Sequence, residues 1–185
     1  MNLIDFITSY PAVVVTVTSL SAVFLTILTA DKAKSRKGFL SDLMMEDRSS
    51  MFFMSVGMII ASILTPLTII RFDLGRSDSL SLYSYIVLVS TVFFFITPIF
   101  LWLGRYSWHL VSIRLYFISA FIAEFLIILD VGSYWPVAAI LVSSNLVLTV
   151  GAFNRGKIRS LPEIIFFVLT LIYLLILNGI TNGII

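Results

Sequence analysis

Glu124 is the side chain whose type and position most strongly suggest a chemical role. It lies in the stretch IRLYFISAFIAEFLIILD at 113–130, where Arg114 is the other ionised side chain inside the apolar run. Arg114 comes ten residues earlier, which is about 15 Å along a helix and too far for an ion pair. An acid inside an apolar run is costly, and in membrane proteins such acids often belong to proton or cation pathways.

Polar side chains on other apolar runs fall at depths similar to that of Glu124. The predicted intramembrane polar cluster consists of Glu124, Ser143, Ser144, Asn145 and Asn178, with the hydroxyls of Thr65, Ser90 and Thr91 at similar depth. Two roles are open for it: a neutral carboxyl that holds helices or an oligomer together by hydrogen bonds, and a site on a permeation or coupling path. A single acid favours the first role, because ion-coupled transporters usually carry several.

The residue sets that enzymes and metal sites need are missing from the sequence. Cysteine does not occur and His109 is the only histidine, which excludes disulfides, thiolate ligands and sites with two or three histidines. SSN at 143–145 lacks the glycines of a nucleophile elbow, and no Walker A or GxGxxG pattern is present. We therefore expect a protein that is not an enzyme and uses neither cofactor nor metal, with His109 as a polar residue at the inner interface.

The apolar composition indicates that the chain lies in a membrane. Hydrophobic residues make up 59% of its 185 residues and charged residues only 12%, and the mean hydropathy is +1.08. Soluble domains carry about 25% charged residues, so this chain could not cover a soluble surface. The first apolar run lacks the features of a cleavable signal peptide, so we expect it to be retained. The net charge of +2 gives no indication of specific nucleic-acid binding.

Six apolar runs approach the length that crosses a bilayer, about 20 residues. They predict an all-α integral membrane protein: a bundle of about six transmembrane helices that forms one polytopic domain over 1–185, without a soluble domain. The predicted spans are 11–30, 51–70, 82–103, 110–129, 135–153 and 161–181.

The positions of lysine and arginine predict the orientation of these spans. The first, third and fifth connections hold ten of the twelve cations, and connections rich in cations face the cytoplasm. Both termini are then expected on the outer side of a multi-pass protein of the cell membrane, the inner membrane of a bacterium.

The connection at 31–50 joins a basic half to an amphipathic half. Its cations suit anionic lipid at about 1 kcal/mol each, and its apolar face suits either the membrane surface or a cytosolic protein. The basic stretch NRGKIRS of the fifth connection is expected on the same side. The predicted docking residues for lipid or partner are Lys32, Lys34, Arg36, Lys37, Phe39, Leu40, Leu43, Met44, Arg155, Lys157 and Arg159.

Three classes of function remain open from the sequence, which favours the first. This is a non-catalytic membrane component, an oligomeric anchor, sensor or scaffold that docks a cytosolic protein. Stripes of small residues such as Ser112, Ser119 and Ala123 are compatible with a homo-oligomer. Membrane subunits of defence and stress systems are frequent among small polytopic bacterial proteins, so anti-phage defence is the setting that we hypothesise. The second class is a small transporter or channel that uses Glu124, and the third is an intramembrane enzyme.

Overall fold

The computed structural model describes residues 2–29, 47–131 and 160–184, and within these ranges the chain forms helices and turns without strands. The helices are α1 (Leu3–Ser9), α2 (Pro11–Thr29), α3 (Arg48–Leu74), α4 (Leu82–Trp102), α5 (Tyr106–Val131) and α6 (Ser160–Thr181). In this part of the chain, α2, α3, α4 and α5 are each long and apolar enough to cross a membrane. The prediction of a helical membrane protein is therefore confirmed.

The described residues form six helices, the predicted number, although α1 is a short helix that the apolar runs do not predict. Each of the five longer helices coincides with one predicted span, with ends that differ by a few residues. The span predicted at 135–153 and all the predicted docking residues lie outside the described residues.

The helices pack as neighbouring hairpins. α2 packs against α3 and α4 against α5, α3 and α4 join the two pairs, and α6 packs against α2 and α3. We call the end of the bundle where α3 ends and α4 begins the Asp73 end, and the opposite end, where α4 ends and α5 begins, the His109 end.

Small residues set the distance between α2 and α3. A Cβ atom built on Gly57 would lie 2.5 Å from the Cβ atom of Ala22, closer than two carbon atoms can approach. Ala12, Ala22 and Thr26, which share the small-residue face of α2, are all buried. This face therefore serves packing within the chain, as close approach between helices in lipid requires.

Among the described residues, buried apolar side chains form two main clusters, one toward each end of the bundle, and a third around Phe117 alone. The cluster at the Asp73 end includes buried residues from all five long helices, among them Val15, Phe72, Val87, Ile127 and Leu177. The smaller cluster toward the His109 end consists of Met54, Met58, Phe94 and Leu101.

The N-terminal end of α2 and the C-terminal end of α6 are held together by two asparagines. Asn178 Oδ1 accepts the backbone N–H of Ala12 at 3.2 Å, and Asn178 Nδ2 donates to the Ser9 carbonyl at 3.3 Å. Asn182 Nδ2 donates to the same carbonyl at 3.1 Å. Both helix ends therefore lie at the Asp73 end of the bundle.

Candidate functional site

A cavity lies inside the bundle, between the two core clusters. Its empty volume is about 930 Å³ with the space at its mouth included, and α2 to α6 all contribute to its wall. Along α3 the wall runs from Met54 to Ile69, which is roughly 20 Å at 1.5 Å per residue. The cavity thus extends along about two thirds of a hydrocarbon core about 30 Å thick. We call it the Glu124 cavity, after the acid on its wall.

The wall of the Glu124 cavity is mostly apolar, with a few polar groups set into it. Glu124 is the only acid among the described residues of the wall, and no lysine, arginine or histidine is among them. Tyr116 and Tyr173 add two phenolic hydroxyls. The remaining hydroxyls of the described wall belong to Ser19, Thr65, Ser90, Thr91 and Thr170. A charged ligand would meet one carboxylate and no fixed positive charge on this part of the wall.

Two hydroxyls on the wall, those of Tyr173 and Thr170, are buried and have no hydrogen-bond partner among the described residues. Other hydroxyls nearby are bonded: Ser90 Oγ donates to the Tyr116 carbonyl at 3.4 Å and accepts from Ser119 Oγ at 3.0 Å. A buried hydroxyl without a partner costs about 1–3 kcal/mol. Such groups are rare in native proteins and call for an explanation, of which a binding site is one.

The structure places the members of the predicted polar cluster in different surroundings. Glu124 lies on the wall of the cavity, together with Thr65, Ser90 and Thr91. Asn178 is not part of the described wall and instead bonds the junction of α1 and α2. The segment 143–145, which supplies the other predicted members, lies outside the described residues. The role of the cluster stays a prediction.

Sequence reasoning missed a buried carboxylate at the Asp73 end. Asp73 is 1% exposed and accepts hydrogen bonds from the backbone N–H and the hydroxyl of Ser81, each at 2.6 Å. It also accepts from Tyr83 Oη at 2.7 Å and Ser84 Oγ at 2.6 Å. We call these four residues the Asp73 cap, because the carboxylate bonds the first residues of α4, as the acid of a capping box does. Four donors occupy both oxygens, which indicates a structural role.

An ion pair on the surface joins the connection at 75–81 to α5. Arg76 Nη1 lies 2.7 Å from Asp130 Oδ2, and the two side chains are 40% and 47% exposed. The guanidinium of Arg76 also lies 5.4 Å from the ring centroid of Phe72. Exposed ion pairs contribute about 0–1 kcal/mol, so this contact is weaker than the Asp73 cap.

His109, predicted at the membrane interface, is fully buried in the bundle. Its Nδ1 atom lies 3.2 Å from the Thr97 carbonyl oxygen, and its ring stacks on Tyr106 at 6.0 Å between centroids. Thr97 Oγ1 donates to Ser112 Oγ at 3.0 Å. In the described ranges, no group of three or more His, Cys, Asp or Glu side chains could hold a metal ion. The His109 end therefore supplies packing between α4 and α5.

The helices on either side of the basic connection 30–46 are held together at the His109 end. Thr29 Oγ1 lies 2.7 Å from Ser50 Oγ, and Ser50 Oγ donates to the Thr26 carbonyl at 3.4 Å. Asp47 begins α3 by accepting the backbone N–H of Ser50 at 2.9 Å, and this hydrogen bond lowers the pKa of the Asp47 carboxyl. The connection therefore starts and ends at neighbouring points of the bundle.

Comparison with known proteins adds no further indication of function. No protein-family model, no curated protein and no solved structure matches this chain. The function has to be inferred from the geometry of the Glu124 cavity and of the surfaces around it.

Proposed function

We propose that this protein is a small transporter or channel of a cell membrane, in which a solute occupies the Glu124 cavity. The observation that carries the proposal is that the described wall of a mostly apolar cavity inside a helical bundle holds one carboxylate, that of Glu124. Ionisable groups within membrane helices commonly mark ion and substrate paths, and cavities with few polar groups on an apolar wall are typical of small-molecule sites.

The length of the cavity supports a path more than a purely structural acid. A carboxyl whose role is to join two helices by a hydrogen bond needs no cavity beside it. Here the wall takes residues from five helices and extends for roughly 20 Å. A solute bound beside Glu124 would need to cross only the remaining part of the hydrocarbon core, about 10 Å, in one or both directions.

In the proposed topology the chain crosses the membrane six times with both termini outside. The contacts of Asn178 and Asn182 with Ser9 support it, because they bring the start of α2 and the end of α6 to the same end of the bundle. An even number of crossings requires such an arrangement. The positive-inside rule then assigns the Asp73 end to the outer side.

Flux measurements on proteoliposomes test the proposal. A concentration gradient of protons, Na⁺, K⁺ or one of a panel of small organic solutes is applied across the proteoliposome membrane. The resulting flux is measured as electrical current and with a pH-sensitive dye in the lumen. We expect Glu124→Gln to reduce the flux about 10- to 100-fold, as loss of a hydrogen bond or ion pair worth 1.5–3 kcal/mol predicts. The matched control is Asp78→Asn, which removes an exposed acid from the connection at 75–81. A wild-type protein without flux for any of these solutes would contradict the proposal.

A second candidate function is the docking of a cytosolic partner, which one observation favours. The contacts between Thr29 and Ser50 hold the ends of the connection 30–46 side by side, and neighbouring helices are usually linked by about 2–8 residues. The connection is longer than that link requires, so its basic and amphipathic sequence is available for another purpose. In this proposal the protein is an oligomeric anchor, sensor or scaffold, with anti-phage defence as the hypothesised setting.

Co-purification tests the docking function. Tagged protein in mild detergent is expected to retain a cytosolic partner, and replacing Lys32, Lys34, Arg36 and Lys37 by Glu should release it. In the control, Arg71 and Arg76, the two cations of the opposite side, are replaced by Glu. This variant should keep the partner bound. If the wild-type protein purifies as a monomer without a partner, both the docking function and the oligomeric state are contradicted.

A further inference from the structure

We propose that the ligand of the Glu124 cavity is an apolar organic cation, which competes with a proton for the carboxylate. Such a ligand carries one positive charge on a body of hydrocarbon or aromatic rings. The inference rests on the proposed function, because it concerns the same cavity, and it adds the chemical class of the solute.

The charge of the wall selects for cations. Glu124 is the only acid among the described residues of the wall, and none of these residues is a lysine, arginine or histidine that would attract an anion. A bare metal cation is a poor alternative, because Ca²⁺ takes six to eight oxygen ligands and Mg²⁺ keeps an ordered octahedral shell. A wall that is mostly apolar cannot replace such a shell. An organic cation has its charge spread over a less strongly hydrated group and suits one carboxylate.

Aromatic rings on three helices suit the apolar body of such a ligand. The ring of Phe94 on α4 lies 4.5 Å from that of Tyr116 on α5 and 6.4 Å from that of Phe167 on α6, measured between centroids. All three residues are on the cavity wall. Aromatic side chains offer large apolar surfaces for contact. The aromatic residues therefore supply affinity for the apolar body of the ligand.

Two methionines extend this apolar wall toward the His109 end. Met54 and Met58 are buried and lie on the wall of the cavity. Methionine side chains are flexible and polarisable and adapt to ligands of different shape. These features predict tolerance for several cations rather than strict selection of one.

The unpartnered hydroxyls provide an independent indication. Tyr173 and Thr170 are on the wall, and their buried oxygen atoms have no hydrogen-bond partner among the described residues. A hydroxyl oxygen accepts hydrogen bonds from the N–H groups of a primary or secondary ammonium. These hydroxyls should raise the affinity for ligands that carry such N–H groups. They should not raise the affinity for fully substituted cations, which have no N–H group to donate.

Competition with a proton follows from Glu124 being the one carboxylate on the described wall. A protonated Glu124 cannot form an ion pair, so binding of the cation must weaken as the pH falls. The other titratable groups of the described wall are the phenols of Tyr116 on α5 and Tyr173 on α6, and α2, α3 and α4 contribute none. Phenols with a pKa near 10 stay neutral around pH 7. In a transport cycle, a proton would bind Glu124 as the organic cation leaves. One proton would thus be exchanged for one organic cation.

A matched pair of ligands tests this class on protein in nanodiscs, with empty nanodiscs as background. Tetraphenylphosphonium and tetraphenylborate have similar shape and opposite charge, and equilibrium dialysis measures their binding. We expect saturable binding of the phosphonium that weakens as the pH is lowered, and no saturable binding of the borate. Equal binding of both ions would overturn the proposal, and this comparison needs no variant protein.

Two substitutions locate the binding on the wall. Glu124→Gln should weaken phosphonium binding about 10- to 100-fold, whereas Asp78→Asn should leave it unchanged. Tyr173→Phe should weaken binding of benzylammonium, which has N–H groups, and not of tetraphenylphosphonium, which has none. Phosphonium binding of wild-type strength to a folded Glu124→Gln protein would overturn the proposal.

The two proposals can fail separately. If inorganic ions give a flux that depends on Glu124 while tetraphenylphosphonium does not bind, the ligand class is wrong and the transport function stands. If the phosphonium binds in a manner that depends on Glu124 and no solute shows flux, the ligand class stands and the transport function is wrong.

Discussion

Asp73 and Glu124 are both carboxylates inside a bundle of apolar helices, and their surroundings differ. Asp73 accepts four hydrogen bonds from Ser81, Tyr83 and Ser84, all at the start of the next helix. Glu124 lies on the wall of a mostly apolar cavity to which five helices contribute. The role of a carboxylate in a membrane protein therefore depends on the groups around it. The first stabilises a helix end, and we propose that the second meets a ligand.

Removing the carboxylate of the Asp73 cap should have the largest effect on stability. Asp73→Ala would leave the backbone N–H and hydroxyl of half-buried Ser81, and the hydroxyls of buried Tyr83 and Ser84, without their acceptor. At about 1–3 kcal/mol for each unsatisfied group, partly relieved by rearrangement, we expect the free energy of unfolding to fall by at least about 3 kcal/mol. Unfolding in mixed micelles measures it. A loss below about 1 kcal/mol would show that the cap is not structural.

A substitution at Gly57 sharpens the comparison, because it tests whether the cavity is merely loose packing. Gly57 is on the cavity wall, yet an added Cβ would lie 2.5 Å from that of Ala22. Gly57→Ala should therefore cost about 1–3 kcal/mol of unfolding free energy. The double variant Gly57→Ala with Ala22→Gly should recover part of this loss. A stable Gly57→Ala protein without compensation would mean that α2 and α3 do not pack so closely.

Removing one phenolic hydroxyl from the Asp73 cap and one from the Glu124 cavity compares the two regions directly. Tyr83 donates to Asp73 at 2.7 Å, whereas the hydroxyl of Tyr173 has no partner among the described residues. We expect Tyr83→Phe to lower the free energy of unfolding by about 1–2 kcal/mol and Tyr173→Phe to leave it unchanged or raise it slightly. Thermal unfolding of the two variants under identical conditions provides the measurement. Equal losses would remove the contrast between a satisfied and an unsatisfied hydroxyl.

The smallest effect is expected at the ion pair on the surface of the Asp73 end. Arg76 and Asp130 are about half exposed, so a double-mutant cycle with Arg76→Ala and Asp130→Ala should give a coupling below about 1 kcal/mol. Added salt should reduce this coupling further. A coupling as large as the loss at Asp73→Ala would mean that the surface pair, rather than the buried cap, holds this end together.

The helices were predictable from the sequence because each span is encoded in one contiguous apolar run. The length of that run and the fixed rise of a helix give the span without information from other segments. The ends of α2, α4 and α6 agree with the predicted spans to within one residue. The buried small-residue face of α2 was predictable for the same reason, since its spacing follows the helical period. α1 was missed, because a helix of seven residues carries no transmembrane signal. The capping box of Asn2 and Asp5 was the local pattern that could have revealed it.

The assignment of polar groups to partners was not predictable from depth alone. Asn178 was grouped with Glu124 by depth, but helix rotation turns it toward Ser9 and Ala12. The sequence analysis assigned no role to Asp73. The available signal was an acid at the end of one helix followed by the hydroxyl-rich start SLYS of the next. The cavity depends on the packing of five helices at once, and no single stretch of sequence encodes it.

The most direct test of the central contrast is to measure stability and flux on the same preparation of the Glu124→Gln protein. We predict a free energy of unfolding within about 1 kcal/mol of wild type, because the substitution keeps the size of the side chain and replaces a carboxylate by an amide that can still form hydrogen bonds. The flux per folded protein should fall about 10- to 100-fold. A loss of stability similar to that of Asp73→Ala, with flux per folded protein unchanged, would contradict the account and assign Glu124 a structural role.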